Sequence, residues 1–436
     1  EDYCRKSKLD ITKIHRNRDP KLHPFERARE YTKALVATKL DKIFAKPFIT
    51  ALDGHVDSVY CSSIIRNRVT PYISGSCDGE LRVWDLATKL CVWSTAAHTG
   101  YVRGIAVEPT GNTFFTCGDD KLIKQWTLSP PSISSDIYEP LQTFTCEHSM
   151  TGIDHHWIDN QFATSGEAVC LWDNTRTSDP LHTYKWGADS VLSVAFNPAE
   201  ACLLGSTASD RSICLYDLRA SVPMRKFVLP MKSNKIAWNP REPIHFTLAN
   251  EDNNLYTFDM RRLDEPKMIH KDHVSAVLDV AYSPTGREFV SASYDRTVRI
   301  FSVNAGRSRD LYHTKRMQRV FTVQYSVDSQ YVISGSDDTN IRIWKAQSSK
   351  PLGIQSIRKE KKEQLNNTLK KRYSHMPEVA RIRRDNPIPK SIKKAAALNH
   401  IQKTAERKKN SNRKRHMNDN FEILPERKRV VIKEYE

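Results

Sequence analysis

The chain lacks the features by which membrane, secreted and cofactor-dependent proteins are first noticed. No apolar run approaches the roughly 20 residues that a membrane helix needs, and the first residues do not form a signal peptide. The nine cysteines include no Cys-x-x-Cys pair, so neither a disulfide framework nor a zinc site is indicated. The 15 glycines form no phosphate-binding loop or nucleophile elbow. We expect an intracellular, reduced protein without a metal, cofactor, membrane contact or small-molecule substrate. Because the sequence starts with Glu1 and not with Met, we also expect a few residues to precede it.

One unit is repeated along the middle of the chain. An aromatic residue marks the same position of the unit seven times, with successive spacings of 42, 46, 44, 42, 43 and 43 residues. These aromatic residues are Trp84, Trp126, Trp172, Tyr216, Phe258, Phe301 and Trp344. A period this regular indicates a repeat protein built from one structural unit.

An acidic residue lies six positions before the aromatic residue in six of the seven units. The acids are Asp78, Asp120, Asp210, Asp252, Asp295 and Asp338, and Gly166 replaces the acid in the third unit. The residues between acid and aromatic alternate in polarity, as in Thr297-Val298-Arg299-Ile300-Phe301. We therefore expect the acid to open a tight turn into a β-strand.

The unit resembles a WD repeat. In the first unit Gly54-His55 starts the repeat, Ser74 to Gly79 make the turn and Trp84-Asp85 end it. The resemblance implies buried polar chains made of His55, Ser74, Asp78 and Trp84 in the first unit, of His98, Thr116, Asp120 and Trp126 in the second, and of His273, Ser291 and Asp295 in the sixth. Phe301 of the sixth unit has no N–H to donate, and units four, five and seven lack the histidine. Those three units are expected to be less tightly held.

Seven such units close into a ring because each blade buries a face that it cannot cover alone. The fold class expected is all-β, a seven-bladed WD40 β-propeller over residues 47–350, with basic, mainly helical extensions over residues 1–46 and 351–436. Pro47 to Asp53 reads as the strand that completes the last blade beside the strand ending at Trp344. Lys350 to Gln355 compete for that place, and the sequence leaves both open.

Positive charge is concentrated outside the repeats. Residues 356–436 hold 24 Lys+Arg against 10 Asp+Glu, and residues 1–46 hold 13 against 7. Residues 47–355 hold 31 against 34 and are close to neutral. A general excess of surface lysine would be spread evenly. The extensions are therefore expected to contact an anionic partner.

Helical spacing marks both extensions. Ala28, Tyr31 and Leu35, then Val36, Leu40 and Ile43, predict an N-terminal helix that docks on the propeller. In the C-terminal extension, Leu365, Leu369 and Tyr373 predict one helix, and a second starts after Pro389 with Ser391 as a candidate cap. The apolar face of this second helix would comprise Ile392, Ala395, Ala396, Leu398, Ile401 and Ala405. Such helices bury too little to fold alone and are expected to order on RNA or protein.

The flanks carry a closer resemblance. Arg16 to Phe25 read Arg-Asn-Arg-Asp-Pro-Lys-Leu-His-Pro-Phe, and Ala37 to Phe48, Thr151 to Trp157 and Pro389 to Ile392 carry further motifs. With the propeller between them, these segments make the chain similar to the Sof family of nucleolar WD-repeat proteins over almost its whole length. The resemblance implies a nuclear and nucleolar scaffold of the small-subunit processome. This U3 snoRNA-containing particle assembles on pre-ribosomal RNA, so the partners implied are pre-ribosomal RNA, U3 snoRNA and other processome proteins.

Basic side chains of the C-terminal extension are the candidate RNA or partner contacts. They are Lys393, Lys394, Lys403, Arg407, Lys408, Lys409, Arg413, Lys414, Arg415, Arg427, Lys428 and Arg429. Their runs are typical of a nuclear import signal or of phosphate contacts, and a solvated helix face is the plainer alternative. Few aromatic residues lie among them, so contacts with the RNA backbone are favoured over base stacking.

The most enzyme-like cluster is Asp154-His155-His156. Neighbouring side chains on a strand point to opposite faces, so both imidazoles cannot readily meet one metal ion or nucleophile. Hydrogen-bonding or partner-contact histidines are favoured. The chain is therefore expected not to be an enzyme.

A second hypothesis is a substrate receptor of a cullin-RING ubiquitin ligase. Tyr216-Asp217-Leu218-Arg219 and Phe258-Asp259-Met260-Arg261 resemble the Trp-Asp-x-Arg box that propeller receptors present to the ligase adaptor, although neither has Trp. The candidate adaptor contacts are Asp217, Arg219, Asp259 and Arg261. Such a box also occurs in propellers with other duties, and a ligase receptor does not require the basic flanks.

Overall fold

The repeated units form seven antiparallel sheets in the computed structural model, which describes residues 25–128, 139–185, 189–220, 222–416 and 425–435. The first strand, β1, is Phe48–Leu52. Blade one comprises β2 to β5 (Val59–Ile64, Pro71–Ser76, Glu80–Asp85, Leu90–Ala96), and blade two comprises β6 to β9 (Val102–Val107, Thr113–Gly118, Leu122–Thr127, Gln142–Thr145). Blade three comprises β10 to β13 (Gly152–His155, Gln161–Ser165, Val169–Asp173, His182–Tyr184), and blade four β14 to β17 (Val191–Phe196, Leu203–Ala208, Ser212–Asp217, Pro223–Val228). Blade five comprises β18 to β21 (Ser233–Trp238, His245–Asn250, Asn254–Asp259, Met268–Lys271), and blade six β22 to β25 (Val277–Tyr282, Glu288–Ser293, Val298–Ser302, Ser308–Tyr312). Blade seven comprises β26 to β28 (Val320–Tyr325, Tyr331–Ser336, Ile341–Lys345) together with β1.

The ring is closed between the first and the last blade. The first strand of each blade contacts the first strand of the next, and β2 contacts β26. In blade seven β1 pairs antiparallel with β28, with Leu52 opposite Ile341 and Phe48 opposite Trp344. Residues 350–355 form no strand. Of the two closing segments left open by the sequence, the N-terminal one is therefore used, and the predicted seven-bladed propeller is confirmed.

The repeated acid shapes the turn between the second and third strands of a blade. In blades one, two, four, five and six its carboxylate accepts the backbone N–H two residues later, at 2.8 to 3.2 Å. The residue directly after the acid has a positive φ in all six acid-bearing turns: Gly79, Lys121, Arg211, Asn253, Arg296 and Thr339. The carboxylate thus supplies the hydrogen bond that holds a left-handed residue in place. In blade three, Gly166 N–H donates to the Ala168 carbonyl at 3.1 Å instead.

The seven aromatic positions belong to the core. All seven are buried, and five lie directly opposite an aromatic residue of the second strand in the same blade. Phe162 stacks on Trp172 with ring centroids 6.2 Å apart, and Phe289 stacks on Phe301 at 5.4 Å. Cross-strand pairs of this kind fix the register of each sheet.

The C-terminal segment adds a strand to blade four. Strand β29, Lys433–Tyr435, pairs antiparallel with β17, so this sheet has five strands. Val430, just before β29, is buried in a core cluster with Phe227 and Phe246. The propeller and the described parts of residues 388–436 belong to one compact unit. This unit includes a long helix, Lys390–His416, which we call α4.

Three helices form a second compact unit from the described parts of residues 1–47 and 347–387. They are α1 (Glu26–Ile43), α2 (Ile357–Arg372) and α3 (Pro377–Arg384). Ala34 and Ala37 of α1, Leu369 of α2 and Val379 of α3 are buried. The unit therefore joins two segments that lie at opposite ends of the sequence.

Candidate interaction surfaces

Blade two contains a complete polar chain of the kind that the resemblance implied. Trp126 Nε1–H donates to Thr116 Oγ1 at 2.9 Å, and the Thr116 hydroxyl lies 2.9 Å from His98 Nε2. His98 Nδ1 lies 2.9 Å from both carboxylate oxygens of Asp120. Burial lowers the pKa of His98 despite the opposing charge of Asp120, so we assign a neutral ring whose Nδ1–H donates to the acid.

Blade six contains the same chain without its aromatic donor. His273 Nε2 lies 2.7 Å from Ser291 Oγ, and His273 Nδ1 lies 2.9 Å from Asp295 Oδ2. Burial raises the pKa of Asp295, but His273, Thr297 and Arg299 outweigh this and lower that pKa to about 2. Asp295 is therefore an ionised, almost fully buried acid at neutral pH.

The expected chain of blade one is wrong at its acid. Trp84 Nε1–H donates to Ser74 Oγ at 2.8 Å, and Ser74 Oγ lies 2.7 Å from His55 Nε2. Asp78 is exposed and bonds to Ser76 and to the N–H of Glu80, not to His55. The carboxylate nearest His55 Nδ1 is that of Glu80, at 3.4 Å. Burial lowers the pKa of His55 to about 4, so its ring is neutral.

The blades without the repeated histidine give their acids other partners. Asp210 of blade four accepts from Lys226 at 3.1 Å, and Asp252 of blade five accepts from Tyr256. In blade seven the Asp338 carboxylate forms an ion pair with the buried side chain of Arg342. The absence of the histidine therefore leaves none of these three acids without a partner.

The cluster Asp154-His155-His156 has structural hydrogen bonds. His155 Nδ1 lies 2.8 Å from the carbonyl of His156, and His156 Nε2 lies 2.9 Å from the carbonyl of Ala201. Asp154 accepts the N–H of Phe196 at 2.8 Å, which ties blade three to blade four. Within the described ranges, no group of three or more His, Cys, Asp or Glu side chains is placed to hold a metal ion. Each of the two imidazoles thus bonds to a backbone carbonyl of a nearby turn.

The two candidate adaptor boxes lie where the third strands of blades four and five end. Arg219 forms a two-point contact with Asp217, through Nε at 3.1 Å and Nη2 at 3.0 Å, and its side chain is 76% exposed. Asp259 accepts the backbone N–H of Arg261 at 3.0 Å, and Arg261 is also exposed. Each aspartate thus holds its own turn, and both arginines face solvent.

Arg225 links the box of blade five to the C-terminal strand, a contact that the sequence did not reveal. Its Nη1 donates to the carbonyl of Arg261 at 3.4 Å and lies 3.8 Å from Glu434 of β29. The signal for β29 itself was present in the β-branched run Val430-Val431-Ile432. A short strand at the end of a basic tail is difficult to recognise because its partner β17 is distant in sequence.

Helix α4 carries most of the predicted basic contacts on exposed positions. These are Lys393, Lys394, Lys403, Arg407, Lys408, Lys409, Arg413, Lys414 and Arg415. The helix begins at Lys390, so Ser391 lies inside the first turn and is not the cap that was expected. Of its predicted apolar face Ile392 is buried, whereas Leu398 and Ile401 are exposed. The expected apolar face is therefore covered only at its start.

The remaining basic contacts, Arg427, Lys428 and Arg429, form one exposed turn of 3₁₀ helix before β29. Glu426, just before this turn, lies 2.5 Å from Lys271 of blade five. Partial burial raises the pKa of Glu426, but Lys271, Lys403 and Arg407 outweigh it and lower that pKa. The structure therefore brings part of α4, the basic turn and blade five together. Among the described residues, the lysine and arginine side chains after Arg407 show no comparable interaction with Glu426.

None of the helices in the described ranges is long and apolar enough to span a bilayer.

Comparison with known proteins gives matches over the whole chain. Residues 346–431 match the model of a Sof1-like domain, and residues 46–85, 89–127, 178–217, 264–302 and 310–345 match the WD domain, G-beta repeat. "DDB1- and CUL4-associated factor 13" of Mus musculus is 50% identical over 433 residues, which cover 99% of this chain and 97% of the relative. The Homo sapiens protein of that name is 49% identical with the same coverage. "Protein SOF1" of Saccharomyces cerevisiae is 41% identical over 454 residues, covering 99% of this chain and 92% of the relative.

Proposed function

Since this chain belongs to the Sof1-like family of WD-repeat proteins, we propose that it is a non-enzymatic scaffold of the small-subunit processome. In this role it supports pre-ribosomal RNA processing and the formation of the small ribosomal subunit. It acts in the nucleolus, with U3 snoRNA, pre-ribosomal RNA and other processome proteins as its partners.

The main support for this proposal is the exposed positive charge of α4. A helix of 27 residues with one buried side chain, Ile392, gains little stability from burial within its own chain. All ten of its lysine and arginine side chains are exposed, and its first turn contains no acidic residue. Such a helix supplies phosphate contacts along a nucleic acid backbone.

The propeller supplies the rigid body to which this helix belongs. His98 and His273 each lie between a hydroxyl and a carboxylate, but the hydroxyls of Thr116 and Ser291 belong to fully buried residues that a substrate does not reach. His155 bonds to a backbone carbonyl. The blades therefore support a binding role. The basic runs of the tail also suit nuclear import.

The test is crosslinking of the full chain in cells followed by sequencing of the attached RNA. We expect enrichment of U3 snoRNA and pre-ribosomal RNA. Recovery of messenger RNA alone, or of no RNA, would refute the proposal.

A matched pair of variants locates the contact. Lys394→Gln with Lys408→Gln and Lys409→Gln removes three charges from α4, while Lys89→Gln with Lys121→Gln and Lys185→Gln removes three exposed charges from the propeller. For binding to a single-stranded pre-ribosomal RNA fragment, the salt slope should fall by roughly 2 in the first variant, at about 0.7 per lost phosphate contact. An equal fall in both variants would mean that the charge of α4 has no special role.

A second function, as a substrate receptor of a cullin-RING ubiquitin ligase, is supported by a separate observation. Arg219 and Arg261 are exposed on neighbouring blades, and Asp217 holds the first of them outward. Relatives of this chain are named for association with DDB1 and CUL4. An exposed arginine pair of this kind suits an acidic surface on an adaptor.

The two functions are separated by Arg219→Ala combined with Arg261→Ala. Truncation of an interface arginine typically costs about 2 kcal/mol or more, so a ligase receptor would lose its adaptor. One pull-down from cells, in which both the cullin adaptor and U3 snoRNA are measured, decides between the two functions. We expect the RNA to remain. Loss of both from a variant that melts normally would mean that these two blades contact the ribosomal particle directly.

A further inference from the structure

Helix α1 has two faces of different character. Its inward side chains Ala34, Ala37 and Thr38 are at most 5% exposed in the helical unit. Its outward side chains Val36, Leu40 and Ile43 are 52%, 45% and 71% exposed. Phe44, whose N–H bonds to the carbonyl of Leu40 at the end of the helix, is 69% exposed. Burial in this unit therefore accounts for only one face of α1.

The four outward side chains form one continuous stripe, which we call the α1 stripe (Val36, Leu40, Ile43 and Phe44). Their spacing of four, three and one residues places them on the same side of an α-helix, one above the other. The inward residues Ala34, Ala37 and Thr38 are small, whereas the α1 stripe is made of large apolar groups. A helix that needed only to pack on α2 and α3 would not require large apolar side chains on its other face.

The charges around the α1 stripe have one sign. The acids Glu30 and Asp41 turn away from it, where Glu30 accepts from Arg372 at 2.8 Å and Asp41 pairs with Lys370. From Arg29 to Ile43, the charged residues that share the outward side with the stripe are Arg29, Lys33 and Lys39. An apolar stripe with a basic border is complementary to an apolar groove with an acidic rim.

We propose that the α1 stripe docks into an apolar groove with an acidic rim on another protein. The helix presents its anchors in the i, i+4, i+7 pattern by which a helix fills a groove. Lys33 and Lys39 pair with acidic residues at the rim and so fix the position of the helix along the groove. RNA is the less suitable ligand because the centre of the surface is apolar and gives nothing to a phosphate. This goes beyond the scaffold role, since it assigns a protein-binding surface to the N-terminal helix and states the chemistry of its partner.

The first test uses a photoreactive amino acid as the probe. p-Benzoylphenylalanine is placed at Val36, at Leu40 and, as a control, at the exposed Lys362 of α2, each in the full chain expressed in cells. We expect both α1 positions to crosslink to the same short segment of one other protein, with apolar residues bordered by Asp and Glu. Crosslinks to RNA, to lipid or to the propeller of the same chain, or no adduct at all, would overturn the proposal.

The second test measures binding of that segment, made as a peptide, to the purified full chain. Leu40→Asp should weaken binding by at least tenfold, because it places a carboxylate in the groove. Lys33→Glu with Lys39→Glu should weaken it by about tenfold at low salt and by less at high salt. Lys361→Glu with Lys362→Glu on α2 is the charge-matched control and should leave affinity unchanged. Equal affinity in all variants, with normal melting, would show that the α1 stripe is not the docking surface.

Discussion

Blade two and helix α4 differ in the environment of their polar side chains. In blade two Trp126, Thr116, His98 and Asp120 bond to one another in a largely buried chain, and each has a defined partner. In α4 the lysines and arginines are exposed, and the helix has one buried residue, Ile392. The same chain thus bonds its polar groups to one another in one region and leaves them exposed in the other. Substitutions should reveal this contrast as a difference between lost stability and lost binding.

The largest effect on stability is expected at the centre of the polar chain. Thr116→Val removes the hydroxyl that bonds both Trp126 and His98, leaving two buried groups unpaired, at a cost of about 3 kcal/mol in the free energy of unfolding. The matched change Thr404→Val on α4 removes only bonds to the carbonyls of His400 and Ile401 and should cost less than about 0.5 kcal/mol. Denaturant unfolding followed by tryptophan fluorescence compares them. Similar losses would remove the contrast between the two regions.

The contrast also holds between two blades. Asp295→Ala should cost about 2 kcal/mol because it leaves the buried His273 without its acceptor. The equivalent Asp78→Ala in blade one removes an exposed acid that supports only its own turn, and we expect a cost of about 0.5 kcal/mol. Melting temperatures of the two variants test this order. A larger loss for Asp78→Ala would mean that the turn, not the histidine, is what the acid stabilises.

Acid should selectively weaken blade six. The pKa of Asp295 is about 2 in the folded chain against an ordinary value of 3.8, so the ionised acid contributes about 2 kcal/mol to the free energy of unfolding. Because the pKa is depressed on folding, this contribution is complete above pH 4 and is lost as the pH falls through 2. The difference in unfolding free energy between the wild type and Asp295→Asn, measured against pH, should shrink over that interval. A difference that stays constant from pH 6 to the acid limit would contradict the assignment.

The smallest effect is expected at Val430, a residue of the tail that lies in a core cluster of the propeller. Val430→Asp places a carboxylate in the cluster of Phe227 and Phe246 and should detach β29. The cost is expected to be about 1 to 2 kcal/mol, because the short segment can leave the sheet and expose the charge to water. The exposed neighbour Ile432 is the control, and Ile432→Asp should change stability by less than about 0.5 kcal/mol. Faster exchange of backbone amides in β17 in the first variant alone would report the detachment.

The repeat could be predicted from the sequence because each of its signals is local. The acid and the aromatic lie six residues apart in one hairpin, so spacing alone predicts the turn, the strand and the number of blades. The left-handed residue after the acid, such as Asn253 or Thr339, follows from the same turn. The period of the repeat and the residues of its turn are therefore sufficient to predict the fold of the propeller.

The partners of individual side chains could not be predicted in the same way. His55 has Asp78 at the expected spacing, yet the nearer carboxylate belongs to Glu80, on the strand that follows the turn. A pattern of residue types does not distinguish two acids two positions apart. The pairing of β29 with β17, and of α1 with α2, depends on contacts between distant segments that leave no local signal.

Closure of the ring by β1 has a consequence for the time course of synthesis. Leu52 pairs with Ile341, so blade seven cannot be completed until most of the chain has left the ribosome. At about 5 to 20 residues per second, β1 waits roughly 15 to 60 s for its partner strand. During that interval an unpaired strand edge of Phe48, Thr50 and Leu52 is open to other chains. A factor that shields the nascent N-terminus would protect this protein more than one whose first strand pairs with its neighbour.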